Sequence, residues 1–575
     1  MTSLEELLRQ RLEPAFEEVA GTPTDPVVRR SQHADFQSDA ALGLARKLKG
    51  NPREIAAAVV ERADLDELCS KVEISGPGFI NLTIADWILG RLLADTVGDD
   101  RLGVPVEKNT ETVTIDYSAP NAAKEMHVGH LRSTIIGDAA VRLLEWLGHT
   151  VIRQNHIGEW GTPFGMLIEH LLDIGESEAA HELSVGDLNG FYQAARRKFD
   201  ADDSFADRAR KRVVLLQSGD KNTLRLWHTL VEESKKYFLT VYDLLDVRLT
   251  EQDFFGESYY NDQLQSVVDE LDRLGLLRLS DGAQCVFPED FRNRDGDPMP
   301  IIVRKSDGGF GYGATDLATI RHRIRHLRAD RLLYVVGLPQ RQHLEMIYQT
   351  AREAGWLVPP TRAEHIGHGS ILGADGKILR TRAGVSVKLV DLLREAVDRA
   401  GAIIAEKDPD LDQATRADVA HAVGIGAVKY ADLSTDRVKD YTFDYNRMLA
   451  FDGNTAPYLQ YARARICSIF RRSGEIPPAD IDTLVVAEPA ERVLALQILA
   501  FGGVVADVAE TLEFHKLAQY LYNLATAFTG FYETCPVLKA EDNEVRRSRL
   551  ALCDLTARTL ARGLDLLGIQ APDQM

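Results

Sequence analysis

Two imidazoles flank a valine and a glycine at His127-Val128-Gly129-His130. Histidines so spaced can donate to phosphate oxygens, and the missing Cβ at Gly129 lets a flat base approach the backbone. The surroundings favour that chemistry. Val113, Ile115 and Tyr117 alternate as a short strand would, and Pro120 breaks any ladder. Leu131 opens an apolar stripe continued at helical spacing by Ile135, Ala139, Leu143 and Leu147, and Gly148 stands where a C-terminal cap belongs. The histidines therefore fall between a strand and a helix N-terminus, where backbone N–H groups and the helix dipole attract phosphate.

Four residues alone are a weak signal, and the chain carries a second copy, His365-Ile366-Gly367-His368. That copy lacks the upstream asparagine and lysine, and Gly369, Gly373 and Gly376 follow it instead of an apolar stripe. It reads as a strand or loop.

Further motifs follow the first copy in order: Gly158-Glu159-Trp160-Gly161-Thr162, Gly256-Glu257-Ser258-Tyr259-Tyr260, Gln340-x-x-His343, Thr381-Arg382-Ala383-Gly384, and Gly453-Asn454-Thr455-Ala456-Pro457-Tyr458-Leu459-Gln460-Tyr461. With Asp116–Gly137, this set resembles the class I aminoacyl-tRNA synthetases, and within them the arginyl-tRNA synthetases, over essentially the whole chain. The resemblance implies ATP-dependent attachment of L-arginine to tRNA(Arg) through an adenylate, with ATP and Mg2+ as cofactors. It implies a multidomain α/β plus all-α fold. An α+β N-terminal tRNA-binding domain is expected over 1–110, and a Rossmann-like parallel-sheet catalytic domain over 111–385 with a helical insertion at about 175–250. A helical connector over 386–450 and a helical-bundle anticodon-binding domain over 451–575 complete the expected layout.

Activation requires the amino-acid carboxylate to attack the α-phosphate of ATP in line while charge on the phosphates is neutralised. By the resemblance, His127, His130, Lys124, Lys377 and Arg380 carry that step, and Pro120, Gly129 and His343 join the two histidines around ATP. The family's usual second motif, Lys-Met-Ser-Lys, is replaced here by Lys377-Ile378-Leu379-Arg380-Thr381-Arg382. An arginine there supplies a fork of donors rather than a point charge, and Lys124 stands where a compensating lysine is expected. A guanidinium is best matched by carboxylates. Tyr312 and Asp316 are four apart, so a helix puts them on one face. The resemblance assigns Asp116 and Asp316 to the guanidinium, and Asn121, Tyr312 and Gln340 to orienting the amino acid. It also places Tyr461, Arg465, Tyr520 and Met575 near tRNA, where exposed rings stack on splayed bases.

Composition sets bounds. The 575 residues suggest several domains. No apolar run is expected to approach a membrane span of roughly 20 residues, and the helix at the N-terminus mixes charges with leucines. Five scattered cysteines without a Cys-x-x-Cys pair suggest neither disulfides nor structural zinc. A cytoplasmic monomer, away from membranes, is expected. A net charge of −20 disfavours nucleic acid only in bulk, because tRNA needs a local positive track. Arg29, Arg30, Arg46, Lys47, Lys49 and Arg53 form one candidate track, and Arg546, Arg547, Arg549, Arg558 and Arg562 another. Arg321–Arg328 is a denser run that can pair with acidic neighbours instead. From Val387 onward the pattern is helix after helix, without a strand. The rival reading, a small-molecule nucleotidyltransferase with the same phosphate site, has no use for so long a helical last third.

Overall fold

The computed structural model describes residues 3–176, 188–380 and 387–575. The chain forms two compact units, one from 107–449 with 566–569, the other from 1–106, 450–565 and 570–575.

The first unit is built on a four-stranded parallel sheet, in the order Arg362–His365, Arg331–Tyr334, Thr112–Asp116, Thr150–Gln154. Strands one and two of the chain occupy one side and strands three and four the other. The order therefore reverses between Thr112–Asp116 and Arg331–Tyr334, and ligands in such sheets bind in the crevice outside the carboxyl ends at that reversal. Asp116 and Tyr334 sit opposite each other there.

The helix Leu131–Leu147 connects the first two strands, and its expected stripe of Leu131, Ile135, Ala139, Leu143 and Leu147 is buried. Gly148 ends it at φ 103°, a left-handed conformation that costs glycine nothing. Gly137 faces Tyr117, and a Cβ there would lie 2.3 Å from the ring. Gly137→Ala should therefore lower stability by about 1–3 kcal/mol as the ring and helix are forced apart. Urea denaturation checks this, and an unchanged midpoint would contradict the packing.

The helical insertion comprises Leu188–Ala201, Asp203–Gln217 and Lys221–Leu244. Two expectations are corrected. Ile301–Arg304, inside the span expected for the parallel-sheet domain, belongs to a separate antiparallel sheet with Leu277–Ser280 and Ala283–Val286. Beyond Val387 there is a strand, Tyr441–Thr442, which pairs with Ile371–Leu372. Two residues are too few to leave a periodic signature.

The second unit contains a four-stranded antiparallel sheet and a set of helices. A hairpin joins Cys69–Ser75 to Phe79–Ile84 across the turn signal Ser75-Gly76-Pro77-Gly78. The amphipathic first helix, Leu4–Ala20, buries Leu4, Leu8, Leu12 and Phe16. The C-terminal arginines are largely internal braces. Arg549 pairs with buried Glu491 at 2.7 Å, and Arg558 donates to the carbonyls of Val97 and Asp99. Arg546 pairs with Glu475. All six residues of the N-terminal track are exposed, with Arg29 on Asp39, Arg30 on Glu5 and Arg53 on the Gly76 carbonyl.

One composition expectation also changes. Pro489–Thr511 is long and apolar enough to cross a membrane. It folds as two successive helices, Pro489–Leu499 and Phe501–Thr511, whose Leu494, Ile498, Phe501, Val505 and Val508 are buried. Glu491 and Arg492 within it are both ion-paired.

Candidate active site

The strand Thr112–Asp116 runs out into a loop held in an unusual shape. Ser118, Ala119 and Ala123 all have positive φ, at 68°, 45° and 59°. Non-glycine residues in that region cost about 1–3 kcal/mol each unless the surroundings fix them. The surroundings do. Ser133 Oγ accepts from Ser118 N, Asn155 Oδ1 from Ala119 N, and Ser234 Oγ from Ala123 N, at 2.8–3.0 Å. Buried Tyr242 shares hydrogen bonds with Ser118 Oγ and Asn155 Nδ2. The insertion helix Lys221–Leu244 thus supplies Ser234 and Tyr242 to brace the motif loop. Pro120 is buried with its carbonyl bonded to Gly158 N, and exposed Asn121 pairs with Gly158 in an isolated parallel bridge.

The motif histidines form a short turn, Val128–His130, leading into the long helix. His127 Nδ1 accepts from Gly129 N at 3.0 Å, and His130 Nδ1 lies 3.1 Å from His127 N and 3.2 Å from the His127 carbonyl. An Nδ1 that accepts a backbone N–H has no proton of its own, so neutral His127 carries its proton on Nε2, whereas His130 Nδ1 faces both a donor and an acceptor and fits either tautomer. Burial and Lys124 hold His127 below its ordinary value, and burial with the neighbouring His127 pushes His130 down to about 4. Both rings are therefore neutral donors at pH 7. Their centroids are 4.2 Å apart. Gly129 is required by this pairing, since a Cβ would lie 2.7 Å from His127 Cε1. Lys124 Nζ lies 4.5 Å over the ring of Tyr192.

The second copy sits at the end of the strand Arg362–His365 and in the loop after it, as its context suggested. His365 Nε2 is 3.0 Å from the Val336 carbonyl and His368 Nδ1 3.0 Å from the Gly369 carbonyl. The next described element is a two-residue strand, Ile371–Leu372.

Across the crevice, the helix Tyr312–Arg325 starts with Tyr312 exposed and Asp316 one turn later. Asp316 Oδ2 is 2.6 Å from His343 Nε2. His343, expected at ATP, is thus bonded to an acid assigned to the amino acid. Gln340 is exposed at the start of the helix Arg341–Glu353, which also carries His343. Asp116 departs furthest from expectation. Its Oδ2 accepts from Arg323 Nη2 at 2.7 Å, and its Oδ1 is buried without a partner. The dense basic run is likewise spent internally, with Arg321 and Arg325 both on Glu270.

Two acids escaped the sequence reading of this site. Glu159 Oε1 accepts from Ser258 N and Oγ, at 3.2 and 2.7 Å, and its carbonyl accepts from Trp227 Nε1 at 2.7 Å. Glu257 feels the charges of both Glu159 and Asp316. Their motifs, Gly-Glu-Trp-Gly and Gly-Glu-Ser-Tyr-Tyr, were visible, but nothing in the spacing says that segments 98 residues apart converge.

Burial lifts Glu159 and Glu257 to about 7, and for Glu257 the negative neighbours add to the rise. The hydrogen bond that His343 donates to the Asp316 carboxylate raises the histidine. The signs agree. Each raised group contributes stability that is complete below its ordinary value, near 4.5 for the acids and 6.5 for histidine, and is lost as pH rises through the folded value. A bound guanidinium favours ionised Glu257 and an Asp316 released from imidazolium. Arginine should therefore bind more tightly at about pH 8 than at about pH 6, with proton release on binding. Calorimetry in buffers of different ionisation enthalpy measures both, and a flat affinity profile would contradict the arrangement.

Lys377 and Arg380 are exposed on a hairpin closed by Gly373 N to Lys377 O and Leu379 N to Ile371 O. Thr381, Arg382, Ala383 and Gly384 lie outside the described residues. In the second unit, Tyr461 and Arg465 are exposed, Arg465 lies 4.4 Å over the ring of Tyr532, and Met575 is half-buried. Tyr520, expected as a stacking ring, is buried against Phe501 and donates to the Gln497 carbonyl at 2.9 Å. It has no open face for a base. Among the described residues, no group of three or more His, Cys, Asp or Glu side chains is placed to hold a metal ion.

Residues 93–445 match the family model for the catalytic domain of class I tRNA synthetases (R), 459–575 the DALR anticodon binding domain, and 2–84 the arginyl tRNA synthetase N terminal domain. The chain is 59% identical to an arginine–tRNA ligase from Thermobifida fusca over 96% of both chains. The chain belongs to the arginyl-tRNA synthetase family. It is an aminoacyl-tRNA ligase built on a Rossmann-like sheet. A Streptomyces coelicolor arginine–tRNA ligase is 49% identical over the full length of both chains. Two crystal structures of the family superpose over the whole of both chains. The Plasmodium falciparum enzyme gives a TM-score of 0.85 at 29% identity, and that of Thermus thermophilus 0.84 at 26%.

Proposed function

We propose that the chain joins arginine to tRNA(Arg) in two steps at the crevice beside Asp116 and Tyr334. The arginine carboxylate attacks the α-phosphorus of ATP and pyrophosphate leaves. The terminal ribose hydroxyl of tRNA then attacks the adenylate's carbonyl carbon, and AMP leaves. The observation that carries this reading is the sharing of one sheet edge by two kinds of group. Two neutral imidazoles stand at a helix entrance, and Asp316 stands on the helix opposite, close enough to Glu257 to raise it.

His127 and His130 donate from Nε2 to phosphate oxygens, where charge grows in the transition state. Lys124, Lys377 and Arg380 add positive charge around the polyphosphate, and Gly129 and Pro120 shape the nucleotide's seat. ATP enters with Mg2+, which neutralises phosphate charge. Asn121, Tyr312 and Gln340 orient the amino acid, and Asp316 with Glu257 faces its guanidinium. Tyr461, Arg465 and Met575 contact tRNA, and the exposed Arg46, Lys47 and Lys49 serve as a positive track. One copy of the chain carries every proposed group, so a monomer in the cytoplasm suffices.

The second motif lacks its usual lysine, so the ATP site depends on tRNA for its competent arrangement through differential affinity for two conformations. Pyrophosphate exchange should be negligible with arginine and ATP alone and appear on adding tRNA(Arg). A tRNA lacking the right anticodon should not restore it. Robust exchange without tRNA would overturn the coupling.

A further inference from the structure

Asp116 was matched to the substrate's guanidinium, yet in the folded chain it already holds one. Arg323 is fully buried, its Nη2 is 2.7 Å from Asp116 Oδ2, and its guanidinium carbon lies 4.9 Å over the ring of Tyr334. Asp116 Oδ1 is buried as well. Asp116 and Tyr334 are partners in register at the carboxyl ends of the two strands that flank the crevice. Arg323 thus plugs the sheet edge from beneath.

The helix that supplies Arg323 also supplies the proposed reading residues. Tyr312 and Asp316 lie in its first two turns, and Arg323 follows Asp316 by close to two turns, on the same face. A pair between Arg323 and Asp116 therefore fixes how far this helix projects past the sheet edge, and with it where Tyr312 and Asp316 stand. For substrate to reach Asp116, Arg323 would have to give up its partner inside the protein. A buried charge left alone is strongly unfavourable.

We propose that Arg323 is a resident guanidinium that occupies Asp116, making the two residues a positioning pair for the recognition helix, so that Asp116 does not read the substrate's guanidinium. The inner pair carries no net charge. Selection for a cation then falls on Asp316, which holds His343 before substrate arrives. This inference rests on the reading that Asp316 faces the substrate guanidinium, and it specifies which acid does not.

The test separates charge recognition from positioning. The full-length enzyme is assayed for arginylation of tRNA(Arg), with arginine KM and the inhibition constant of citrulline, a neutral near-isostere, measured on the same preparation. Their ratio does not depend on how much of the preparation is folded. Asp316→Asn should collapse the preference for arginine by roughly 100-fold or more. Asp116→Asn, which leaves Arg323 charged and unmatched, should raise the arginine KM and the citrulline inhibition constant alike by roughly 10-fold or more. Its arginine preference should stay within about threefold of the parent. Asp116→Asn with Arg323→Gln removes both charges and should bring arginine KM back to within about threefold of the parent. That rescue is not expected of a residue that touches substrate. A collapse of preference in Asp116→Asn alone would overturn the inference, as would a double variant no better than Asp116→Asn. If Asp316→Asn leaves preference intact, the underlying assignment of Asp316 fails instead.

Discussion

Replacing His127 or His130 by alanine should lower the rate of arginine activation by roughly 100-fold or more, as losing a transition-state hydrogen-bond donor does. The size follows from the state of the rings. His127 Nδ1 is occupied by a backbone N–H, and both rings are held towards the neutral form. The proton His127 offers to phosphate is therefore the one on Nε2. Alanine removes it and also the acceptor that caps the turn. Asparagine at either position retains an acceptor for the backbone without reproducing the ring's reach, so it should recover stability before it recovers rate. Thermal unfolding beside single-turnover kinetics separates the two effects. His365→Ala and His368→Ala provide the contrast, because those rings are 3.0 Å from carbonyls at a strand end and its loop. Equal damage from both pairs of variants would remove the assignment of the first copy.

The second large effect is on substrate choice. Asp316→Asn keeps size and hydrogen-bonding capacity and removes the charge. Arginine KM should rise far more than ATP KM, with a loss of about 2–5 kcal/mol, the range for truncating one partner of a buried charge pair. The low end of that range is favoured by the half-exposed position of Asp316, whose side chain is 33% accessible. His343 loses its partner in the same variant and should titrate nearer its ordinary value, which NMR of the imidazole would show. Unchanged arginine kinetics would place the pocket elsewhere.

The local grammar of the site was readable before any coordinates. A strand, a proline, two histidines and an apolar stripe ending in glycine each act within a few residues. The same holds for the hairpin at Cys69–Ile84 and for Tyr312 and Asp316 on one helical face. What sequence could not show are pairings set by the tertiary fold. Arg323 and Asp116 are 207 residues apart, and a family match that names only Asp116 cannot reveal that its charge is already spent. Glu159 is brought to the Glu257 segment by its bonds to Ser258, a contact between distant stretches of chain. Tyr520 shows the limit of composition, since an aromatic at core spacing and one offered to RNA look alike in a string of letters. Ile301–Val303 is a short apolar run like any buried strand, and its antiparallel partners decide its sheet.

The central claim is that this crevice activates arginine for tRNA(Arg). Pyrophosphate exchange across a panel of amino acids, each with tRNA(Arg) present, tests it most directly. Exchange with arginine, and none with citrulline, lysine or glutamine, is the predicted result. Exchange supported by another amino acid, or none with arginine while tRNA is bound, would contradict it.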